Sequence, residues 1–253
     1  MHAAERLDGG EWTDGTRGRC PAMNDTPEST GIPLRLADRI FLAAHTGEQR
    51  LASRVDPGLL ALGCAGGLLG ELILDEEITV TPTVRASGLG RCPDYLSWVV
   101  LREIREEGGH ELRTWLEYLA QSAAQKVRAR LTITDVLHEV PVSAGWRGSP
   151  ASAWRLAAPG PQAPAEDLER LFTEPDPANG RNGMITAPEA LVEITFALLA
   201  RETGVVRQLL PRQVARQGEH RMESWEPRIP GPLRTVVNEV AAAREQSAMT
   251  PRY

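Results

Sequence analysis

The sequence predicts a mainly α-helical single domain that carries a projecting β-hairpin and short strand elements. Three observations lead there. Apolar residues recur at helical spacing from Leu36 almost to the C-terminus, only two segments show strand-like alternation, and no internal repeat of fixed period is visible. A chain of 253 residues that is 42% hydrophobic is long enough to bury one substantial core. Residues 1–33 are rich in Gly, Asp, Thr and Pro without apolar periodicity and read as a disordered tail, residues 34–246 as the domain, and 247–253 as a flexible end.

The first element is "LRLADRIFLAAHTG", in which Leu36, Ile40, Phe41 and Ala44 share a helical face and Gly47 supplies a stop. Next comes the most apolar run of the chain, "DPGLLALGCAGGLLGELILDEE". Its uncharged part, Pro57 to Gly70, would rise about 21 Å as a helix against a hydrocarbon core of roughly 30 Å. Both flanks are acidic, whereas Arg or Lys is what normally orients a span. The run therefore reads as a buried core helix. Gly63 and Gly67, like Gly66 and Gly70, are four apart and make a shallow face, suited either to a closely approaching helix or to a ligand head group.

"ITVTPTVRAS" alternates and reads as an edge strand, because Pro82 removes one ladder donor. "DYLSWVVLREIREEGG" and "HELRTWLEYLAQSA" are helices split at Gly108-Gly109, with Leu112, Trp115, Leu116 and Leu119 as a core stripe and both Trp98 and Trp115 expected inside. "AQKVRARLTITDVL" continues as helix. "LHEVPVSAGWRGSPASAWRLAAPG" predicts a hairpin with Trp146 at its tip and Trp154 on the return strand. "PAEDLERLF" is a short helix. In "TAPEALVEITFALLARETG" Thr186 and Glu189 have capping-box spacing, and Leu191, Ile194, Thr195, Leu198 and Leu199 share a face. "VVRQLL" starts another helix, and "LRTVVNEVAAAREQ" follows a Pro-rich stretch as the last.

Composition excludes several function classes. A formal charge of -6 argues against a chain that coats nucleic acid. Cys20, Cys64 and Cys92 are far apart, with no paired thiols and no histidine at metal-ligand spacing, so no metal site, no disulfide framework and no cofactor are expected. The N-terminal stretch is acidic and lacks an apolar segment, which leads us to expect a cytoplasmic protein. No phosphate-binding glycine loop, dinucleotide fingerprint or nucleophile elbow is present in the required context. His110-Glu111 and His138-Glu139 lack the second histidine of a zinc site, and Cys64 sits in an apolar helix with no basic neighbour to activate it. Glu71 and Asp75, four apart, have spacing for a cation or for acid–base work, or Glu71 is a buried polar residue with a backbone partner. No enzymatic activity is expected. Lys126, Arg128 and Arg130 form the best local anion site, which would otherwise be a solvated helix face.

The order of segments "LRLADRIFLAAHTG", "LGCAGGLLGELILDEEITV", "WLEYL", "KVRARL", a hairpin and "ALVEITFALLARETGVVRQLL" resembles the Golgi phosphoprotein three family, from about Leu34 to Leu210. The "GxLLGELxL" pattern ahead of an acidic-to-strand transition is the most specific part. Lys126 is the single lysine among 28 basic residues, a skew that fits a bacterial member. The resemblance implies a helical domain with an apolar hairpin, acting as an adaptor that binds phosphatidylinositol 4-phosphate and not as an enzyme. It also implies a head-group pocket built from a tryptophan ahead of the Gly-rich helix, an arginine inside that helix and two basic residues on a later one. Here no tryptophan lies between Trp12 and Trp98, the in-helix arginine falls at Ala65, and the later basic positions fall at Gln125 and Arg128, with Lys126 and Arg130 beside them.

The expected function is a peripheral adaptor on the inner face of the membrane, binding an anionic phospholipid or phosphoinositide head group with Trp146 touching the bilayer. The alternative is a soluble protein-interaction module in which the hairpin binds a protein partner or mediates self-association.

Overall fold

The computed structural model describes residues 33–46, 51–88, 90–141, 152–157, 164–177 and 183–249. These described residues belong to one compact unit. Among the described residues there are ten α-helices and three two-stranded antiparallel sheets, so the mainly helical expectation holds.

The Gly-rich run is helix α2 (Pro57–Leu74), around which α1 (Leu36–Ala43), α4 (Leu112–Ala120), α5 (Ala123–Ile133), α7 (Pro188–Glu202) and α10 (Gly231–Met249) pack. It starts where Asp56 caps the backbone N–H groups of Gly58 and Leu59, with Pro57 in the first turn where no donor is needed. Of the described helices, α2 alone is long and apolar enough to cross a membrane, yet 67% of that stretch is buried inside the protein. Its glycines are the reason so many helices reach it. A methyl group on Gly67 would lie 2.7 Å from the Ala37 Cα, one on Gly66 2.8 Å from a Val240 methyl, and one on Gly70 2.9 Å from Leu36. Of the two readings of the glycine face, close helix approach is the one observed.

α2 ends in a Schellman motif: the N–H of Glu77 donates to the Leu72 carbonyl and that of Glu76 to Ile73, with Glu76 at φ 58°. α5 ends the same way, Val136 donating to Leu131 and Asp135 to Thr132, with Asp135 at φ 60°. Each reversal sends the chain straight into a strand. After α2 these are β3 (Ile78–Val80) and β4 (Val84–Ala86), paired Ile78 to Ala86; after α5 they are β5 (Leu137–Pro141) and β6 (Ser152–Leu156), paired Leu137 to Leu156. The β5–β6 pair is the predicted hairpin, with Trp154 on its return strand. Its tip, with Trp146, lies outside the described residues. A third short pair, β1 (His45–Thr46) with β2 (Ala52–Ser53), leans on this hairpin through the Leu51 N–H, which donates to the Trp154 carbonyl at 2.7 Å.

Four local expectations need correction. The single edge strand at "ITVTPTVRAS" is two strands with Pro82 in the turn between them, where its missing donor costs no ladder bond. Trp98 is not core: on α3 (Tyr95–Glu106) it is 40% exposed, stacked on Tyr95 and covered by the Arg102 guanidinium. Thr186 and Glu189 form no capping box, because α7 begins at Pro188 with Ala187 in the capping position. Finally, α9 (Arg212–Trp225), between α8 (Val205–Leu209) and α10, has no counterpart in the sequence reading. Its buried stripe of Ala215, Gly218, Met222 and Trp225 rests on Phe172 of α6 (Pro164–Thr173), Gly218 letting the ring approach.

Candidate functional site

Helix α5 carries most of the sequence-predicted site residues, and its packing separates them. Ala123, Val127, Arg130 and Leu131 are the buried stripe that faces the core. Arg130 therefore points inward, 8% exposed, into a cluster of charges contributed by four helices. Its Nη1 and Nη2 donate to the two oxygens of Glu71 on α2 at 3.0 and 3.1 Å, and its Nε donates to Asp38 on α1 at 2.9 Å. Asp94, which caps α3 at the backbone N–H groups of Leu96 and Ser97, lies 3.4 Å from Nη1.

Arg35 closes the cluster from the outside. It donates to Glu71 at 3.1 Å and to Asp75 at 2.6 Å, and its Nη1 lies 3.5 Å from Asp94. Glu71 also accepts the backbone N–H of Ala37 at 2.7 Å. So Glu71 and Asp75 do share a cation, but it is the guanidinium of Arg35, and Glu71 has the backbone partner that a buried carboxylate needs.

The electrostatics follow from burial. Burial raises the Asp38 carboxyl to about 6, with Arg130 opposing and Glu71 adding to the rise. Burial would also raise Asp94, but the Ser97 hydroxyl and N–H, then Arg130 and Arg35, outweigh it and hold the group below its usual range. Burial disfavours the charged Arg130, yet Glu71, Asp38 and Asp94 together raise its pKa further. Cys64, fully buried near this cluster, has its thiol pushed up by burial, which leaves it inert as a nucleophile. Among the described residues no group of His, Cys, Asp and Glu has an arrangement that would hold a metal ion.

The remaining α5 residues face outward. Gln125 is exposed. Arg128 holds its guanidinium over the Trp154 ring, 4.8 Å from the centroid, at the root of the β5–β6 hairpin. His45 of β1 is close enough that the Arg128 charge adds to burial in lowering its pKa, so the ring is neutral near pH 7, with Nδ1 against the Phe41 carbonyl. Among the described residues Arg128 has no carboxylate partner. Lys126, by contrast, lies 3.5 Å from Glu103 of α3. The three basic residues thus do not converge on one anion.

A model of the Golgi phosphoprotein 3 (GPP34) family matches residues 36–240. The chain belongs to that family. Comparison with curated proteins gives no match.

The matched span of the Golgi phosphoprotein 3 domain runs from the first residue of α1 into α10 and takes in α5, the hairpin and the ion cluster except Arg35, which lies one residue ahead of it. Within it, Ala65 is fully buried in the middle of α2, so this position offers no surface to a ligand. Sequence reasoning missed the role of Arg35 and Asp38, at the start of α1, and of Asp94, all of them far in the chain from Arg130. A signal for Arg130 was present: it sits at the third residue after Val127 and next to Leu131, inside the apolar stripe of its helix.

Proposed function

We propose that this Golgi phosphoprotein 3 family chain is a non-enzymatic, cytoplasmic adaptor that attaches peripherally to the inner face of a membrane through an anionic lipid head group. Phosphatidylinositol 4-phosphate is the head group the family resemblance implies. The observation that carries the reading is Arg128, the outward-facing cation of α5 without a carboxylate partner among the described residues, placed beside Trp154 at the hairpin root. A guanidinium has a planar fork suited to phosphate oxygens, and stacking on an indole fixes its orientation without neutralising it. A few basic contacts combined with an apolar hairpin suffice for weak, salt-sensitive attachment.

Sedimentation with vesicles of neutral lipid, generic anionic lipid and phosphatidylinositol 4-phosphate tests this, at low and moderate salt, with Arg128→Ala beside the wild type. Retention on anionic vesicles that weakens with salt and is lost in the variant is expected. Absence of retention at low salt overturns the proposal. The second reading, a soluble protein-interaction module, is favoured by the burial of Ala65 and the filling of the glycine face by neighbouring helices, which leave no head-group cradle on α2. In that case partner binding survives high salt and is indifferent to lipid charge.

A further inference from the structure

α5 has a second outward face, distinct from that of Gln125 and Arg128. Lys126, Ala129 and Ile133 lie along it, opposite Tyr95, Leu96 and Val99 of α3, and between the two helices is a cavity of about 340 Å³. Ligand pockets for small molecules span roughly 300–1,000 Å³ and combine apolar walls with a few polar groups. The mouth keeps apolar surface in water, Tyr95 being 75% and Ile133 83% exposed. Such residues on facing helices bury that surface when something occupies the space between them.

The charges around the cavity differ in what they have left to offer. Asp94 caps α3, accepts the Ser97 hydroxyl and faces two guanidinium groups. Arg130 is taken up by Glu71 and Asp38. Lys126 has three N–H donors and, among the described residues, one contact, Glu103, at the long distance of 3.5 Å. It is the lining charge with donors to spare.

The geometry points to a binding site for a single-chain anionic amphiphile, its alkyl chain lying between α3 and α5 and its carboxylate or phosphate meeting the Lys126 ammonium. The site does not depend on the Arg128 reading, since the two residues face different ways from one helix. Both a free alkyl carboxylate and an acyl lipid in a bilayer present this chemistry.

Calorimetric titration of the full chain with dodecanoate, kept below its micellisation concentration, tests the site. Saturable one-to-one binding is expected for the wild type. Ala129→Trp, at an exposed position, fills the cavity and is expected to weaken binding more than roughly tenfold, the order of effect that loss of a buried alkyl contact has on affinity. Lys126→Ala is expected to weaken dodecanoate roughly tenfold while leaving dodecanol unchanged, because only the charged head loses a partner. Ile133→Ser supplies a second cavity variant, weakened several-fold, should the tryptophan disturb α5. No saturable binding, or full affinity in both cavity variants, overturns the site; equal loss of dodecanoate and dodecanol in Lys126→Ala overturns the placement of the head. Vesicle retention separates the sources. If Ala129→Trp keeps it while Arg128→Ala loses it, the occupant is the free amphiphile; if Ala129→Trp loses it too, the occupant is a bilayer acyl chain.

Discussion

Glu71 of α2 and Arg130 of α5 meet end-on, with Oε2 3.0 Å from Nη1 and Oε1 3.1 Å from Nη2, both side chains being nearly inaccessible to water. Removing either partner leaves the other charge buried. Arg130→Ala strands Glu71 with only Arg35 and the Ala37 N–H, and a cost of about 3–5 kcal/mol is expected for such a break. Replacing both residues by Leu and Met should cost less than the sum of the two single truncations, because neither Glu71 nor Arg130 is then left buried without the other, and the remaining cost is that of Asp38, which loses its guanidinium. Urea denaturation of the two single variants and the double variant checks this; a double variant as unstable as the sum of the singles refutes the coupling.

The placement of Gly67 makes an opposite prediction to that of helix propensity. Ala is favoured over Gly inside a helix by about 1 kcal/mol. The added methyl would, however, lie 2.7 Å from the Ala37 Cα and 3.0 Å from the Ala37 N, and backbone cannot swing aside as a side chain does. Gly67→Ala should therefore destabilise by about 1–3 kcal/mol net, as overpacking does. At Gly66 the obstacles are the Val240 and Leu199 side chains, so Gly66→Ala should cost less. Thermal denaturation of both variants ranks them, and a stabilised Gly67→Ala would contradict the close contact of α1 with α2.

These examples show what sequence could and could not convey. The role of the glycine face was legible as a choice between a helix and a ligand, since four-residue spacing marks a groove but not its occupant. The α2 core, the Leu112 to Leu119 stripe and the β5–β6 hairpin were legible because their patterns use large apolar residues at a single period. α9 was not, because its stripe is built from Ala215, Gly218, Met222 and Trp225 amid charged neighbours, and small residues leave little hydropathy signal even where they are buried. Trp98 misled for the converse reason: its size suggests core, yet an arginine and a tyrosine beside it cover the ring at the surface. The sequence reading of the charge cluster reached a buried role only for Glu71, although Arg130 lies in the apolar stripe of its helix. The partners of Glu71 come from three other segments, Arg35 with Asp38 at the start of α1, Asp94 ahead of α3 and Arg130 on α5, and nothing in local spacing joins those segments.

Asp38 should give the protein a pH signature. Its carboxyl titrates near 6 in the folded chain, against about 3.9 when unfolded. The folded state therefore holds this proton more tightly, so the contribution to stability is complete below pH 4 and is lost as pH rises through 6. The loss is on the order of 2–3 kcal/mol by linkage. Asp94 is shifted the other way, so its contribution changes with the opposite sign, and it cancels when wild type is compared with a variant that keeps it. Asp38→Asn keeps an acceptor for the Arg130 Nε and does not titrate. The stability of wild type minus that of Asp38→Asn, measured in urea from pH 4 to 7, should fall with rising pH; a flat difference would show that the buried carboxyl is unshifted.

Three helix ends use the same left-handed reversal with different residues. α7 ends at Gly204, φ 78°, whose N–H donates to the Arg201 carbonyl, whereas α2 and α5 place Glu76 and Asp135 in that conformation. A side chain there is strained, because Cβ crowds the following carbonyl, and the cost is roughly 1–2 kcal/mol relative to a residue without Cβ. Glu76 is exposed and its role in the motif is carried by its backbone, through the N–H to Ile73 and the carbonyl that accepts the Ser87 hydroxyl. Glu76→Gly therefore relieves the strain without removing a contact. Greater freedom of glycine in the unfolded chain opposes part of the gain, leaving a net stabilisation of about 0.5–1 kcal/mol. A raised urea midpoint with an unchanged slope is the expected result. A lowered midpoint would mean that the Glu76 side chain itself supports the turn into β3.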